Sequence, residues 1–163
     1  MRNLFFVLIF SFCNLLSAQT GFKLKVSGEV AQPLELSLSD LSKMSRKEVT
    51  MKDKEGKLYS YAGVPIQDVL SMAKVPSGKE LHGKENLSKY VLVKSADGYQ
   101  VLFSLAELDS SIQDKNVIVA DTADGKPILP EKGPLRIIAV GEKKPARSSY
   151  QVTELLIGSI KNN

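Results

Sequence analysis

Two stretches of this chain, NVIVAD at residues 116–121 and PLRIIAVG at residues 134–141, are almost unbroken runs of apolar side chains. A strand with one face in water alternates apolar and polar residues, so runs without alternation fit strands buried on both faces. The fold must therefore place material on each side of them. Turn chemistry brackets both runs: Asp124-Gly125 and Pro127 follow the first, and Pro130, Gly133 and Pro134 lead into the second.

Elsewhere the alternation is clean. FKLKVSGEV at 22–30 sets Phe22, Leu24 and Val26 against Lys23 and Lys25, a half-buried strand ended by Ser27-Gly28. Pro33 opens a second alternation through Leu34, Leu36 and Leu38, after which Ser39 is placed to cap a short helix with Asp40 in its first turn. KEVTMK and KLYSYAG flank Asp53-Lys54-Glu55-Gly56, a hairpin turn in which Gly56 supplies the positive φ. VPIQDVLSMAKV at 64–75 carries the strongest helical pattern, with Pro65 near the first position and Ile66, Val69, Leu70 and Ala73 on one face. Pro76 and Gly78 stop it, and the polar residues 77–88 read as a loop. YVLVK and YQVLF are strands joined by the turn Ser95-Ala96-Asp97-Gly98, Ser104 caps the short amphipathic turn SLAELD, and QVTELLIGSI closes the chain as a strand. Many strands, few short helices and no regular βαβ alternation place the chain in the α+β class, with mixed β-sheets.

The amino terminus reads differently. LFFVLIFSF at 4–12 follows a lone Arg2 and runs into Ser17-Ala18; spanning a bilayer takes about 20 apolar residues, so this shorter run reads as a signal peptide over residues 1–18. The expected location is periplasmic or secreted. Cys13 lies inside this segment behind Phe12, where lipoprotein processing favours a small residue, so neither a lipid nor a transmembrane anchor is expected. Residues 19–163 read as a single domain without linker or repeat, and they contain no cysteine. Disulfides, thiolate-bound zinc, iron–sulfur clusters and cysteine nucleophiles are thereby excluded there, and a single histidine, His82, excludes multi-histidine metal sites. Beyond residue 18 there are 21 basic and 18 acidic side chains; the lysines are scattered, so nucleic acid is not an expected partner.

Catalytic motifs are absent: there is no G-x-S-x-G elbow, Walker loop, G-x-G-x-x-G after a strand, or H-E-x-x-H. His82 in LHGKEN reads as a solvated loop residue, and Lys143-Lys144 as a hairpin tip. Asp53, Asp97, Asp121 and Asp124 all stand in turn contexts, where a carboxylate bonds its own backbone. Arg136 is the exception, a guanidinium inside an otherwise apolar strand after a Gly-Pro corner. A buried guanidinium needs acceptors, and two readings stand open: a structural salt bridge to a core-facing acid, or an anionic ligand. Arg147, Ser148 and Ser149 come within reach of Arg136 if residues 134–141 and 150–160 pair as strands. Two arginines and two hydroxyls then form a site for an anion or a heterocycle edge.

Taken in order, LKVSGEV with PLELSLSDL, YAGVPIQDVL, SADGYQVLFSLAEL, VIVADTADGKPIL and KGPLRIIAVG resemble the molybdopterin-binding domain of the sulfite oxidase superfamily. The resemblance implies that fold, and it implies that Arg136 is presented to a pterin cofactor. Catalytic members hold molybdenum through a cysteine in the segment corresponding to VTMKDKEG; here that position falls near Lys52 or Asp53, neither of which replaces a soft thiolate. The family's histidine shortly before the arginine is replaced by Glu131-Lys132.

Compact, exported, cysteine-free chains of this kind resemble periplasmic pterin-binding proteins, some of them ligand-sensing partners of membrane-bound signalling enzymes. The resemblance thus implies a non-catalytic module that binds a pterin or molybdopterin-like heterocycle without covalent attachment and without molybdenum. Tyr61 or Tyr99 would supply the aromatic face and Arg136 or Asp53 the polar edge. The alternatives are a molybdopterin-dependent oxidoreductase, or a subunit of one with a redox partner, and a pocketless interaction domain.

Overall fold

The computed structural model describes residues 21–160, so the expected signal peptide and Cys13 lie outside the described residues. In chain order the elements are β1 (Lys23–Gly28), β2 (Leu34–Ser37), α1 (Leu38–Ser42), β3 (Lys47–Lys52), β4 (Leu58–Pro65), α2 (Ile66–Met72) and α3 (Gly83–Leu87). There follow β5 (Lys89–Ser95), β6 (Gln100–Ser104), α4 (Leu105–Leu108), β7 (Val117–Ala123), β8 (Lys126–Pro127), β9 (Arg136–Ala139) and β10 (Val152–Ser159). Two sheets result, one ordered β2-β1-β10-β5-β6 and the other β3-β4-β7-β8, with β9 also paired to β7. This is the mixed-sheet α+β architecture expected from the pattern, β1 running parallel to β10 while the other pairs are antiparallel.

The unbroken apolar runs have the predicted cause. Val117 and Val119 of β7 and Ile137 and Ala139 of β9 point into a large core shared with Leu24, Val26, Val91, Phe103 and Leu155 of the first sheet. Their neighbours Ile118, Ala120 and Ile138 point the other way, into a smaller cluster with Val49, Tyr61 and Ile128. The second sheet is therefore buried on both faces at its centre. Each of the larger side chains gains about 1.5–3 kcal/mol on full burial.

Local signals differ from the sequence expectations in three places. The cap of α1 is Ser37, not Ser39: the Ser37 hydroxyl accepts from the Asp40 amide at 3.1 Å and the Asp40 carboxylate accepts from the Ser37 amide at 3.0 Å. This reciprocal capping box draws the helix start two residues earlier. Residues 77–88 are not a plain loop but a 3₁₀ turn (Gly78–Glu80) followed by α3; neither buries an apolar face, so no periodicity marked them. Finally, β9 and β10 belong to different sheets. Backbone hydrogen bonds link the start of β10 and the residues before it to β9 and the residue before that strand: Ile137 N–H to Ser149 O and Val152 N–H to Leu135 O, both 3.0 Å.

Candidate functional site

Over the outer face of the second sheet lies a cavity of about 880 Å³. The β3–β4 hairpin contributes Met51, Asp53 and Tyr59 to it, β4 and β9 contribute Tyr61 and Arg136, and the β7–β8 turn with its continuation contributes Ala123, Ile128, Leu129 and Lys132. Pro145, Ser148 and Tyr150, from the segment before β10, complete the wall. Strand alternation explains the grouping. Tyr59 and Tyr61 are two residues apart on β4 and so share a face, and the β7 register places Arg136 opposite Ala120 on that same side.

Arg136 is 5% exposed and makes no ion pair with any described acid. One terminal nitrogen donates to the Tyr61 hydroxyl at 2.6 Å and the other to the Ser148 carbonyl at 3.4 Å. The guanidinium carbon lies 3.8 Å from the centroid of Tyr150 and 5.0 Å from that of Tyr61. Its Nε is buried without a hydrogen-bond partner. The salt-bridge reading of Arg136 is thus corrected: aromatic faces and neutral oxygens surround it. Cation–π contacts offset part of the desolvation, up to about 2 kcal/mol each when dry, while an unmet buried donor costs about 1–3 kcal/mol. Burial raises the Tyr61 phenol above its ordinary pKa, against the opposing pull of the Arg136 charge and hydrogen bond. Since Tyr61 accepts from Arg136, its own proton is free to be donated.

The other residues singled out in the sequence divide. Asp53 reaches the cavity edge, yet its Oδ1 accepts from the Glu55 and Lys57 amides at 3.0 and 2.8 Å, the turn role expected of it. Ser148 lines the cavity, its hydroxyl accepting from Ala139 N–H at 3.0 Å and donating toward the Met51 sulfur at 3.2 Å. Arg147, Ser149 and Tyr99 do not line it. Arg147 turns to the opposite side, where it pairs with Glu142 and Glu107 at 2.6 and 2.7 Å over the Phe103 ring; separate carboxylates there outcompete proximity to another cation. Ser149 is buried with its carbonyl bonded to Ile137, and Tyr99, half-exposed on the β5–β6 turn, donates to the Ala146 carbonyl at 2.8 Å. Sequence reasoning did not assign Met51 or Tyr59 to the site, and it brought Tyr150 there only as the end of the Arg147–Tyr150 segment, with no contact of its own. The Tyr59-x-Tyr61 spacing could have flagged Tyr59, but nothing local marks Tyr150.

The residues present suit a flat heterocycle better than a thiolate-held metal. The three tyrosines offer π faces, and the Arg136 Nε and the Tyr61 hydroxyl offer donors lacking acceptors. In the hairpin segment where catalytic members of the resembling superfamily carry cysteine, the sulfur facing the cavity is the Met51 thioether, a weak ligand beside a thiolate. Among the described residues no three His, Cys, Asp or Glu side chains converge as a metal site.

Comparison with known proteins gives a fold and a family. The sulfane dehydrogenase SoxCD from Paracoccus pantotrophus superposes with a TM-score of 0.67 at 17% identity, covering 89% of this chain and 40% of that one. This chain thus spans less than half the length of the structure it resembles, and at that identity the likeness concerns the fold. A search of curated proteins found no match. The family model described as the oxidoreductase molybdopterin binding domain matches residues 14–143, most of the sequence, and the chain belongs to that family.

Proposed function

We propose that this chain is an exported, non-catalytic binding module whose cavity takes a pterin or a related flat heterocycle, without molybdenum. The observation that carries the reading is Arg136: a buried guanidinium with no carboxylate partner, one nitrogen unmet, set among tyrosines at a cavity of ligand size. Arginine and tyrosine donors address the acceptor edge of the ring, and the tyrosine faces address its plane. Membership in a molybdopterin-binding family supports the pterin class, while the absence of cysteine from residues 19–163 supports a site without thiolate-held metal. A membrane-bound signalling or redox protein is the partner proposed for such a module.

Purification from the native host, with mass spectrometry of co-purifying small molecules and elemental analysis, tests this reading. The expected result is a pterin-class molecule, substoichiometric molybdenum, no turnover of sulfite, and an amino terminus at Gln19. One molybdenum per chain would instead favour the molybdopterin-dependent oxidoreductase, or a subunit of one.

A further inference from the structure

Tyr150 stands apart from the other tyrosines of the cavity. Its ring lies 3.8 Å from the Arg136 guanidinium carbon, and Lys132 approaches the same ring with its ammonium 5.8 Å from the centroid. The ring covers Arg136, whose Nε has neither solvent contact nor a partner. Yet Tyr150 itself is 38% exposed, and its hydroxyl makes no hydrogen bond among the described residues. The backbone beside it is pinned. Ser149 O accepts from Ile137 N–H at 3.0 Å, Gln151 N–H donates to Lys132 O at 3.3 Å, and Gln151 O accepts from Ala96 N–H at 2.9 Å. A side chain held by stacking alone on a fixed backbone moves by rotamer change and not by loop motion.

We infer that Tyr150 is a specificity-determining plug: it occupies the face of Arg136 that an incoming ring would stack on, so that only a ligand with its own π face and an acceptor edge displaces it. This rests on the proposed role of the cavity in binding a heterocycle. A tetrahedral oxyanion satisfies the unmet Nε but leaves the guanidinium face bare, and it loses the stacking that Tyr150 provides. A planar heterocycle replaces both. The plug therefore excludes small inorganic anions, the common competitors for a buried arginine.

Titration calorimetry with two probes, pterin-6-carboxylate and inorganic sulfate, on the full secreted chain and on Tyr150→Ala and Tyr150→Phe tests this, with melting curves as a check on folding. Sulfate is expected to bind Tyr150→Ala at least tenfold more tightly than wild type, and the preference for the pterin over sulfate to fall by a similar factor. Tyr150→Phe, which keeps the ring, should gain far less sulfate affinity than Tyr150→Ala. Equal sulfate affinity in wild type and Tyr150→Ala overturns the plug, as does a sulfate gain shared by Tyr150→Phe. If wild type ignores the pterin while Tyr150→Ala gains sulfate, the plug stands and the heterocycle reading fails.

Discussion

The guanidinium of Arg147 sits 4.5 Å from the centroid of the Phe103 ring and from there holds Glu142 and Glu107 at 2.6 and 2.7 Å. Lys115 joins the same Glu142 at 3.0 Å, so the turn before β10 is tied to α4 and to the residues leading into β7. Arg147 directly precedes Ser148 and Tyr150, which line the cavity, yet it does not line it, which gives the two arginines separate duties.

Those duties separate by mutation. Arg147→Gln is expected to lower stability by about 1–2 kcal/mol, more than an isolated surface pair because several partners share the charge. Its effect on pterin-6-carboxylate affinity should stay below about threefold, since Arg147 does not line the cavity. Arg136→Ala should instead weaken that binding by about 1.5–3 kcal/mol, the scale of a hydrogen bond to a charged group. Calorimetric titrations beside thermal melts give the comparison, and reversed roles would remove Arg136 from the binding site.

Acid should act in part through Asp121. Burial pushes its carboxyl up, but the hydrogen bonds from Arg46 and Thr122 and the Arg46 charge outweigh it and hold the pKa below the usual range. The unfolded chain takes up this proton near pH 3.9, at roughly the unperturbed value, while the folded chain resists. The contribution is therefore complete above about pH 4 and is lost as pH falls through the folded value. Asp121→Asn should flatten the fall in melting temperature as the pH drops below about 4, where wild type loses this contribution. An unchanged acid slope would move the linkage to Glu142 or Glu154, whose carboxyls are also lowered.

Much of this was readable from residues alone, and what was not has a physical cause. β7 and β9 could be read as doubly buried strands because missing alternation is a one-dimensional signal, and Arg136 stood out against that background. The partners of Arg136 could not be read. Tyr61 is 75 residues away and is brought close only by the β4–β7–β9 ladder, while Tyr150, expected inside a strand over 150–160, stands in the irregular stretch before β10. Arg147 and Arg136 looked like neighbours because eleven residues joined by a turn suggest a hairpin. The two following strands enter different sheets, and the side chains part.

The start of α1 gives a local test. Because Ser37 and not Ser39 makes the capping bonds with Asp40, Ser37→Ala should cost about 0.5–2 kcal/mol, the range for losing an N-cap side chain. Ser39→Ala should stay within about 0.5 kcal/mol of wild type, as for a surface change away from any special feature. Denaturant melts of the two variants decide between the caps.

Gly63 is the position where β4 tolerates no side chain. A Cβ there would stand 2.1 Å from the Val119 carbonyl oxygen and 2.5 Å from the Ala120 Cα, both backbone atoms of the paired strand that cannot give way singly. The ladder is irregular at this point, shifting register between Ala62 and Gly63, so the close approach belongs to the bulge that sets Tyr61 and Arg136 on one face. Gly63→Ala should therefore cost more than about 3 kcal/mol, beyond the usual range for overpacking, and should displace Tyr61 in any folded remainder. Gly56 is the control: its φ is +83° but a Cβ there meets only open space, so Gly56→Ala should cost about 1–2 kcal/mol through the left-handed backbone alone. Chemical denaturation of both variants checks the ordering, and a well-folded Gly63→Ala would mean that the β4–β7 pairing relaxes there.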